Sequence, residues 1–453
     1  MPEKNKCYET EITGITSEGS GVCRIDGMAV FVPMTAVGDV LSVKIVKVLK
    51  SYAFGIIDKI LTPSPDRIIS DECPVYRQCG GCVFRHISYE VECRIKAGIV
   101  EDAFRRLGGL SPEFDEFIAA DSDSRYRNKA QYPLAMHNGK AVCGFYAPRS
   151  HRVIPVDDCP LQPVVFSKIV SCSLDFINDK CLSIYDEQAH SGDLRHIYIR
   201  CGKHSGQIMV CFVVRRDISK QLTALAELLH KYFPEIKSIV MNINPDNTNV
   251  ILGDKWSVLY GSFTISDIMC SNSVQISPPS FYQVNTIQAE RLYRRALEYA
   301  APTGSEIIAD LYCGAGTIGL SMARHVASVI GVEIVPEAIE NAKKNARDNC
   351  IYNAEFYCGD AGKVFSKLRT QECSPDIIIL DPPRKGCSEE TLSIVCNAAP
   401  SRIVMISCNP STAARDTKWL SDHGYSPVKV SGADLFPRTR HVECVVLMSR
   451  DKD

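Results

Sequence analysis

Between Ile307 and Leu447 short apolar runs alternate with stretches of helical period. The runs Ile307–Leu311, Val329–Val332, Ala354–Tyr357, Asp376–Leu380 and Arg402–Ser407 are each separated from the next by such a stretch. A helix between two strands returns the chain to the same end of the sheet, so these strands pair in parallel and the fold is a doubly wound, Rossmann-like α/β sheet. Tyr425–Ser431 and Glu443–Leu447 follow each other without a helix, which predicts an antiparallel hairpin at one edge. A helix over about Thr286–Ala300 precedes the first strand. Ligands of such sheets bind outside the carboxyl ends of the strands, and the residues just after each run are therefore the candidates for function.

The first strand runs into Leu311-Tyr-Cys-Gly314-Ala-Gly316-Thr-Ile-Gly319, and a helix begins beyond it. A Gly-x-Gly-x-x-Gly in that position lets the backbone approach a bound nucleotide or nucleoside. Glu333 ends the next strand, where a carboxylate accepts hydrogen bonds from ribose hydroxyls. A dinucleotide would set its pyrophosphate on the helix N-terminus. Asp310 before the loop and Asp360 after the third strand make an acidic rim instead, which suits the cationic sulfonium of S-adenosylmethionine better.

The fourth strand ends in Asp381-Pro-Pro-Arg384-Lys-Gly386, and the two prolines make a rigid wall behind a carboxylate. The fifth ends in Cys408-Asn-Pro410, and the last begins in His441-Val-Glu443-Cys444. With 21 cysteines in the chain, Cys408 alone reads as one more buried thiol, and Glu443 alone as a solvated strand end. Together with a methyl donor they meet a specific demand. Uracil C5 is too weakly nucleophilic to take a methyl group until a thiolate adds to C6, and a base must then remove the C5 proton.

The rest of the chain divides in two. Residues 7–60 form short strands with a hairpin signal at Asp26-Gly27, which predicts a small closed barrel of oligonucleotide-binding type over 1–62. Residues 63–275 form a central α+β segment, and 276–453 carry the Rossmann-like sheet. The central segment opens on a cysteine-rich loop at 68–87. Ser88 then caps a helix to about Leu107, which Gly108-Gly109 stops. A C-x-x-C is expected by chance at this cysteine content. Cys73, Cys79 and Cys82 nevertheless share one Pro/Gly loop, and Cys159 on another loop is a possible fourth ligand, for zinc or for an iron–sulfur cluster.

Composition sets the limits. Lys+Arg number 51 against 53 Asp+Glu, a net charge of −2, so any nucleic-acid contact rests on local patches such as Arg125-Tyr-Arg127-Asn-Lys129 and a face of the barrel. No apolar run is long enough for a membrane span and the first residues lack a signal peptide's apolar core, which leads to the expectation of a cytoplasmic chain with no membrane partner. Nothing points to an obligate protein partner, and a monomer is expected.

Phe281-Tyr-Gln283-Val-Asn285, Asp310-Leu-Tyr-Cys-Gly-Ala-Gly-Thr317, Asp381-Pro-Pro-Arg384, Ser407-Cys-Asn-Pro410 and His441-Val-Glu443 resemble, in that order, the motif series of bacterial RNA uracil-C5 methyltransferases. The resemblance implies Cys408 as nucleophile, Glu443 as base and Asp381 between cofactor and uracil. It further implies Gln283, Tyr312, Thr317, Glu333, Asp360 and Asp381 as the S-adenosylmethionine site. An N-terminal TRAM barrel and Cys73, Cys79, Cys82 and Cys159 are similar to the 23S ribosomal RNA branch of the family, which implies a [4Fe-4S] cluster in the central domain and 23S rRNA as substrate. The same branch packs the 88–107 helix on the methyltransferase domain. The same chemistry on tRNA, an iron–sulfur dinucleotide-dependent oxidoreductase and an RNA-binding accessory protein with an inert sheet are the alternatives.

Overall fold

Five parallel strands form the part of the sheet that the strand–helix alternation requires. In spatial order the eight-stranded sheet runs Ala354–Cys358, Ser328–Glu333, Ile307–Leu311, Ile377–Leu380, Arg402–Ser407, Glu443–Arg450, Tyr425–Ala433 and Glu113–Ile118. The chain winds outward from Ile307–Leu311 on one side, then crosses to its other side at Ile377–Leu380. The topological switch point, where open α/β sheets bind ligands, therefore lies between these two strands. Glu443–Arg450 runs antiparallel to both its neighbours. The computed structural model describes residues 1–68, 73–361, 363–364 and 374–451.

Both faces of this sheet are covered, which is why Ile377–Leu380 is an unbroken apolar run with every residue buried. Thr286–Ala300 lays Ala289, Leu292, Tyr293 and Ala296 on one face. Glu389–Ala398, Pro410–Ser421 and the helix Tyr89–Asp102 cover the other. Ser88 caps the last of these by accepting from the Val91 N–H, and a π-helical turn over Ala103–Gly108 follows before Gly109 reverses at φ 61°.

One strand of the sheet arrives from upstream. Glu113–Ile118 pairs in parallel with Tyr425–Ala433, although the sequence reading places no strand there. Arg295 fixes it by ion pairs to Asp115 and Glu116.

The central segment holds a seven-stranded sheet in the order Val153–Pro155, Lys140–Tyr146, Lys129–His137, Leu194–Cys201, Ile208–Val214, Ile236–Ile243 and Lys255–Gly261. Ser219–Tyr232 is the crossover between its one parallel pair. A second helix, Val164–Asp179, is missed by the sequence reading because its β-branched start imitates a strand.

Two expectations are corrected here. The N-terminal strands number six and form a curled sheet, Cys7–Glu11, Val40–Val48, Tyr52–Thr62, Met28–Pro33, Ser20–Ile25, Gly14–Ile15, rather than a closed barrel. Its last strand, Gly14–Ile15, follows Cys7–Glu11 after two residues and pairs with Ser20–Ile25. The second correction removes the iron–sulfur domain and its [4Fe-4S] cofactor. Cys73, Cys79, Cys82 and Cys159 line one cavity with Val75, Phe145, Val156 and Leu161. Among the described residues, however, no group of three or more His, Cys, Asp or Glu side chains is arranged to hold a metal ion. Burial within those apolar walls favours the protonated thiol, pushing Cys82 up to about 12 and raising Cys79 and Cys159. The Cys79 sulfur accepts from the Gly81 N–H. These residues do not fit the cluster, and residues 69–72 of the same loop lie outside the described residues.

Candidate active site

At the carboxyl end of Ile307–Leu311 the chain turns sharply. Tyr312 sits at φ 70°, a left-handed conformation that costs a side-chain-bearing residue about 1–2 kcal/mol. The turn is held because the Tyr312 and Cys313 N–H groups both donate to the Val332 carbonyl, at 2.9 and 3.0 Å. Gly316 must be glycine: it lies at φ 79°, and a Cβ there would meet the Phe356 ring at 3.0 Å. Glu333 is clamped by the N–H groups of Gly314, Ile334 and Val335 at 3.1, 2.8 and 3.0 Å, so its carboxylate faces the loop as a fixed acceptor.

Beneath the loop Asp310 is fully buried. Its Oδ2 accepts from the Gly319 N–H at 2.8 Å, and its Oδ1 has no partner among the described residues. Burial first, then the nearby Asp381 and Glu333 charges, hold its carboxyl up at about 7. A desolvated carboxyl beneath the loop disfavours a further negative charge above it and tolerates a positive one. That fits the sulfonium of S-adenosylmethionine and does not fit a pyrophosphate.

The remaining cofactor candidates converge on the same loop. Thr317 opens the helix Thr317–Met322. The buried Tyr293 hydroxyl interacts electrostatically with Thr317, Gln283 and Asp381. The Gln283 backbone is held in turn by Asn128, whose amide donates to its carbonyl at 2.8 Å. Asp360 acts electrostatically on Tyr312 and is exposed beyond the third strand. Tyr293 has no signal in the sequence. It shares a helix face with Ala289, Leu292 and Ala296, and so reads as core.

Strand register assembles the second cluster. Ser407 pairs with Cys444 across the antiparallel ladder, so the next position brings Cys408 opposite Glu443. Asp381 follows Leu380 on the neighbouring parallel strand. Burial pushes Asp381 up to about 7; burial, with Asp381 nearby, pushes Glu443 up to about 8. The Cys408 thiol is raised by burial and by the Glu443 and Asp381 charges, and is lowered by Arg384. Arg384 is thus the cation among these groups. Asn409 Nδ2 and Thr412 Oγ1 fix its backbone by donating to its carbonyl at 3.2 and 3.4 Å. Its Nη2 lies 3.4 Å from His441 Nδ1. The sequence shows Arg384 and His441 only as motif members, with nothing to say that they meet.

The segment before Glu443 is anchored from far upstream. Lys96, fully buried on the helix Tyr89–Asp102, bridges Glu92 Oε1 at 2.7 Å and Asp434 Oδ1 at 2.9 Å and reaches the Phe436 carbonyl at 3.3 Å. The Arg438 N–H donates to Glu92 at 2.7 Å, and its guanidinium pairs with Asp123. Tyr126 donates to the Pro437 carbonyl at 3.0 Å. Within Arg125–Lys129, then, Tyr126 and Asn128 brace the site, while Arg125 pairs with Asp158 at 2.6 Å.

Residues 112–451 match the model of the tRNA (uracil-5-)-methyltransferase family, and residues 3–57 match the TRAM domain. The chain belongs to the tRNA (uracil-5-)-methyltransferase family. RNA methyltransferases of Halalkalibacterium halodurans and Clostridium tetani are similar to it, at 43% and 41% identity, over 98% and 99% of this chain and 97% of each relative. Among solved structures, the Pyrococcus abyssi tRNA (uracil-54, C5)-methyltransferase with S-adenosyl-L-homocysteine superposes with a TM-score of 0.78 at 26% identity, over 97% of this chain and 99% of that one.

The protein is an S-adenosylmethionine-dependent RNA (uracil-C5) methyltransferase. The expected assignment to the iron–sulfur ribosomal branch is withdrawn. The four cysteines that carried it make no metal site among the described residues, and nothing in these relatives is specific to ribosomal RNA. No helix among the described residues is long and apolar enough to cross a membrane.

Proposed function

We propose that this enzyme methylates C5 of a uridine in transfer RNA, in the cytoplasm, through a covalent bond between Cys408 and uracil C6. The observation that carries the chemistry is the register that sets Cys408 opposite Glu443 beside Asp381 and Arg384. The substrate class rests on the family's name and on the tRNA named for the Pyrococcus abyssi relative.

Gln283, Tyr312, Thr317, Glu333 and Asp360 hold S-adenosylmethionine, which supplies the methyl group, while Asp310 and Asp381 answer its positive charge. The target uridine leaves its stack to reach a pocket at the strand ends. Arg384 favours the Cys408 thiolate, which adds to C6 and makes C5 nucleophilic. After C5 is methylated, Glu443 takes the C5 proton, and the C6–sulfur bond breaks to restore the ring and release the Cys408 thiolate. A carboxyl raised to about 8 by burial accepts that proton readily.

The test is transfer of label from tritiated S-adenosylmethionine to unmodified tRNA and to 23S rRNA fragments, followed by mapping of 5-methyluridine. Label in tRNA alone supports the proposal. Label confined to rRNA would reverse the substrate assignment while leaving the chemistry intact.

A further inference from the structure

Addition of a thiolate to uracil C6 leaves negative charge on the C4 oxygen as well as at C5, so the step requires a hydrogen-bond donor at that oxygen. Asp381 answers the positive charge of S-adenosylmethionine and Glu443 serves as base only in their ionised forms, and an ionised carboxylate accepts but does not donate. Arg384 is already engaged with Cys408 and His441. The remaining group is His441. An arginine has no lone pair to offer, so the imidazole Nδ1 at 3.4 Å from Arg384 Nη2 must be the acceptor, and the ring proton sits on Nε2.

Among the described residues Nε2 makes no hydrogen bond, so this N–H stays available for a ligand. The ring itself is fixed: Phe436 packs edge-to-face on it at 5.8 Å, and the His441 N–H donates to Thr439 Oγ1 at 3.3 Å. Burial, then Arg384, Arg440, Lys96 and Arg127, push its pKa down to about 4, so it stays a neutral donor throughout the working range.

We infer that His441 Nε2–H is a catalytic hydrogen-bond donor to the C4 oxygen of the target uracil, stabilising the enolate formed as Cys408 adds to C6. The inference rests on the proposed Cys408–C6 adduct. It gives His441 a role in addition, two residues before a base that acts only in the later proton removal.

RNA carrying 5-fluorouridine separates these steps, because the adduct forms but the C5 fluorine cannot be removed as a proton. With S-adenosylmethionine present, His441→Phe is expected to slow appearance of the denaturant-stable protein–RNA band by about 10²-fold, with KM for RNA and for S-adenosylmethionine unchanged. His441→Gln, which keeps an N–H donor, is expected to recover most of that loss. Adduct formation at the wild-type rate in His441→Phe, with only turnover of ordinary uridine impaired, would show that His441 merely props Glu443 and overturn the inference. Should His441→Phe lose S-adenosylmethionine binding, His441→Gln decides alone: a rate near wild type supports the inference, and a loss of about 10²-fold removes it. A wild-type enzyme that forms no band would instead sink the adduct itself.

Discussion

Cys408 and Glu443 each look unsuited to their work when taken alone. Burial and two neighbouring carboxyls raise the Cys408 thiol, and only Arg384 opposes them. Since the thiolate is the nucleophile and the thiol is raised, kcat/KM should climb with pH above neutrality as the thiol ionises. Replacing Arg384 with Gln removes the cation that lowers this pKa. The rising limb then moves to higher pH, and the rate at neutral pH falls by about tenfold or more. An unchanged pH profile in Arg384→Gln would leave the thiol without its activator. Glu443→Gln keeps the shape of the base but not its function, and should accumulate a slow-migrating protein–RNA adduct on a denaturing gel. Cys408→Ala should bind S-adenosylmethionine as wild type does, by calorimetry, and transfer no methyl group.

Among the elements, the helix Tyr89–Asp102 has the largest reach beyond its own length. Its Lys96 and Glu92 meet Asp434 and Arg438 in a network sealed from water, and that network sets the approach to Glu443. Lys96→Met removes the ammonium that bridges the buried Glu92 and Asp434 carboxylates and leaves Arg438 beside Glu92 alone. The expected cost is about 3–5 kcal/mol, read from the midpoint of urea unfolding. A loss below about 1 kcal/mol, the range of exposed pairs, would mean that water enters the network. The Gly-rich turn makes a second prediction. Gly316→Ala forces a side chain into a left-handed residue against Phe356, and should weaken S-adenosylmethionine binding by tenfold or more, roughly the 1–2 kcal/mol of that backbone strain. Titration calorimetry checks it.

For the whole molecule, the question is how a chain of net charge −2 holds RNA. The outer face of the N-terminal sheet offers Phe31, Tyr52 and Phe54, whose rings lie 5.5 to 6.0 Å apart, Tyr52 edge-on to both others. Lys44 stands opposite Ile56 and Lys47 opposite Phe54 across the ladder. Aromatic faces beside lysines suit unpaired bases and their phosphates. Changing Lys44 and Lys47 together to Glu should raise KM for RNA about tenfold and flatten its salt dependence by about two counterions, leaving S-adenosylmethionine affinity unchanged. Equal salt slopes for the two proteins would move the RNA contact elsewhere.

The alternation of strands and helices after Ile307 determined the catalytic sheet, because strand period, helix period and the handedness of crossovers are local properties. The positions of Cys408, Asp381 and Glu443 at strand ends were legible for the same reason. Glu113–Ile118 was not: Glu-Phe-Asp-Glu-Phe-Ile lacks clean alternation, and its partner lies some three hundred residues away. The four-cysteine loop shows the converse. Its spacing suggested a metal, but ligation needs convergence within a few ångströms, which spacing along a chain does not supply. Arg384, His441, Tyr293 and Lys96 gained their places only in three dimensions. Sequence specified which strand each side chain belongs to, and packing decided which of them meet, because a charge acts through distance and burial rather than through order along the chain.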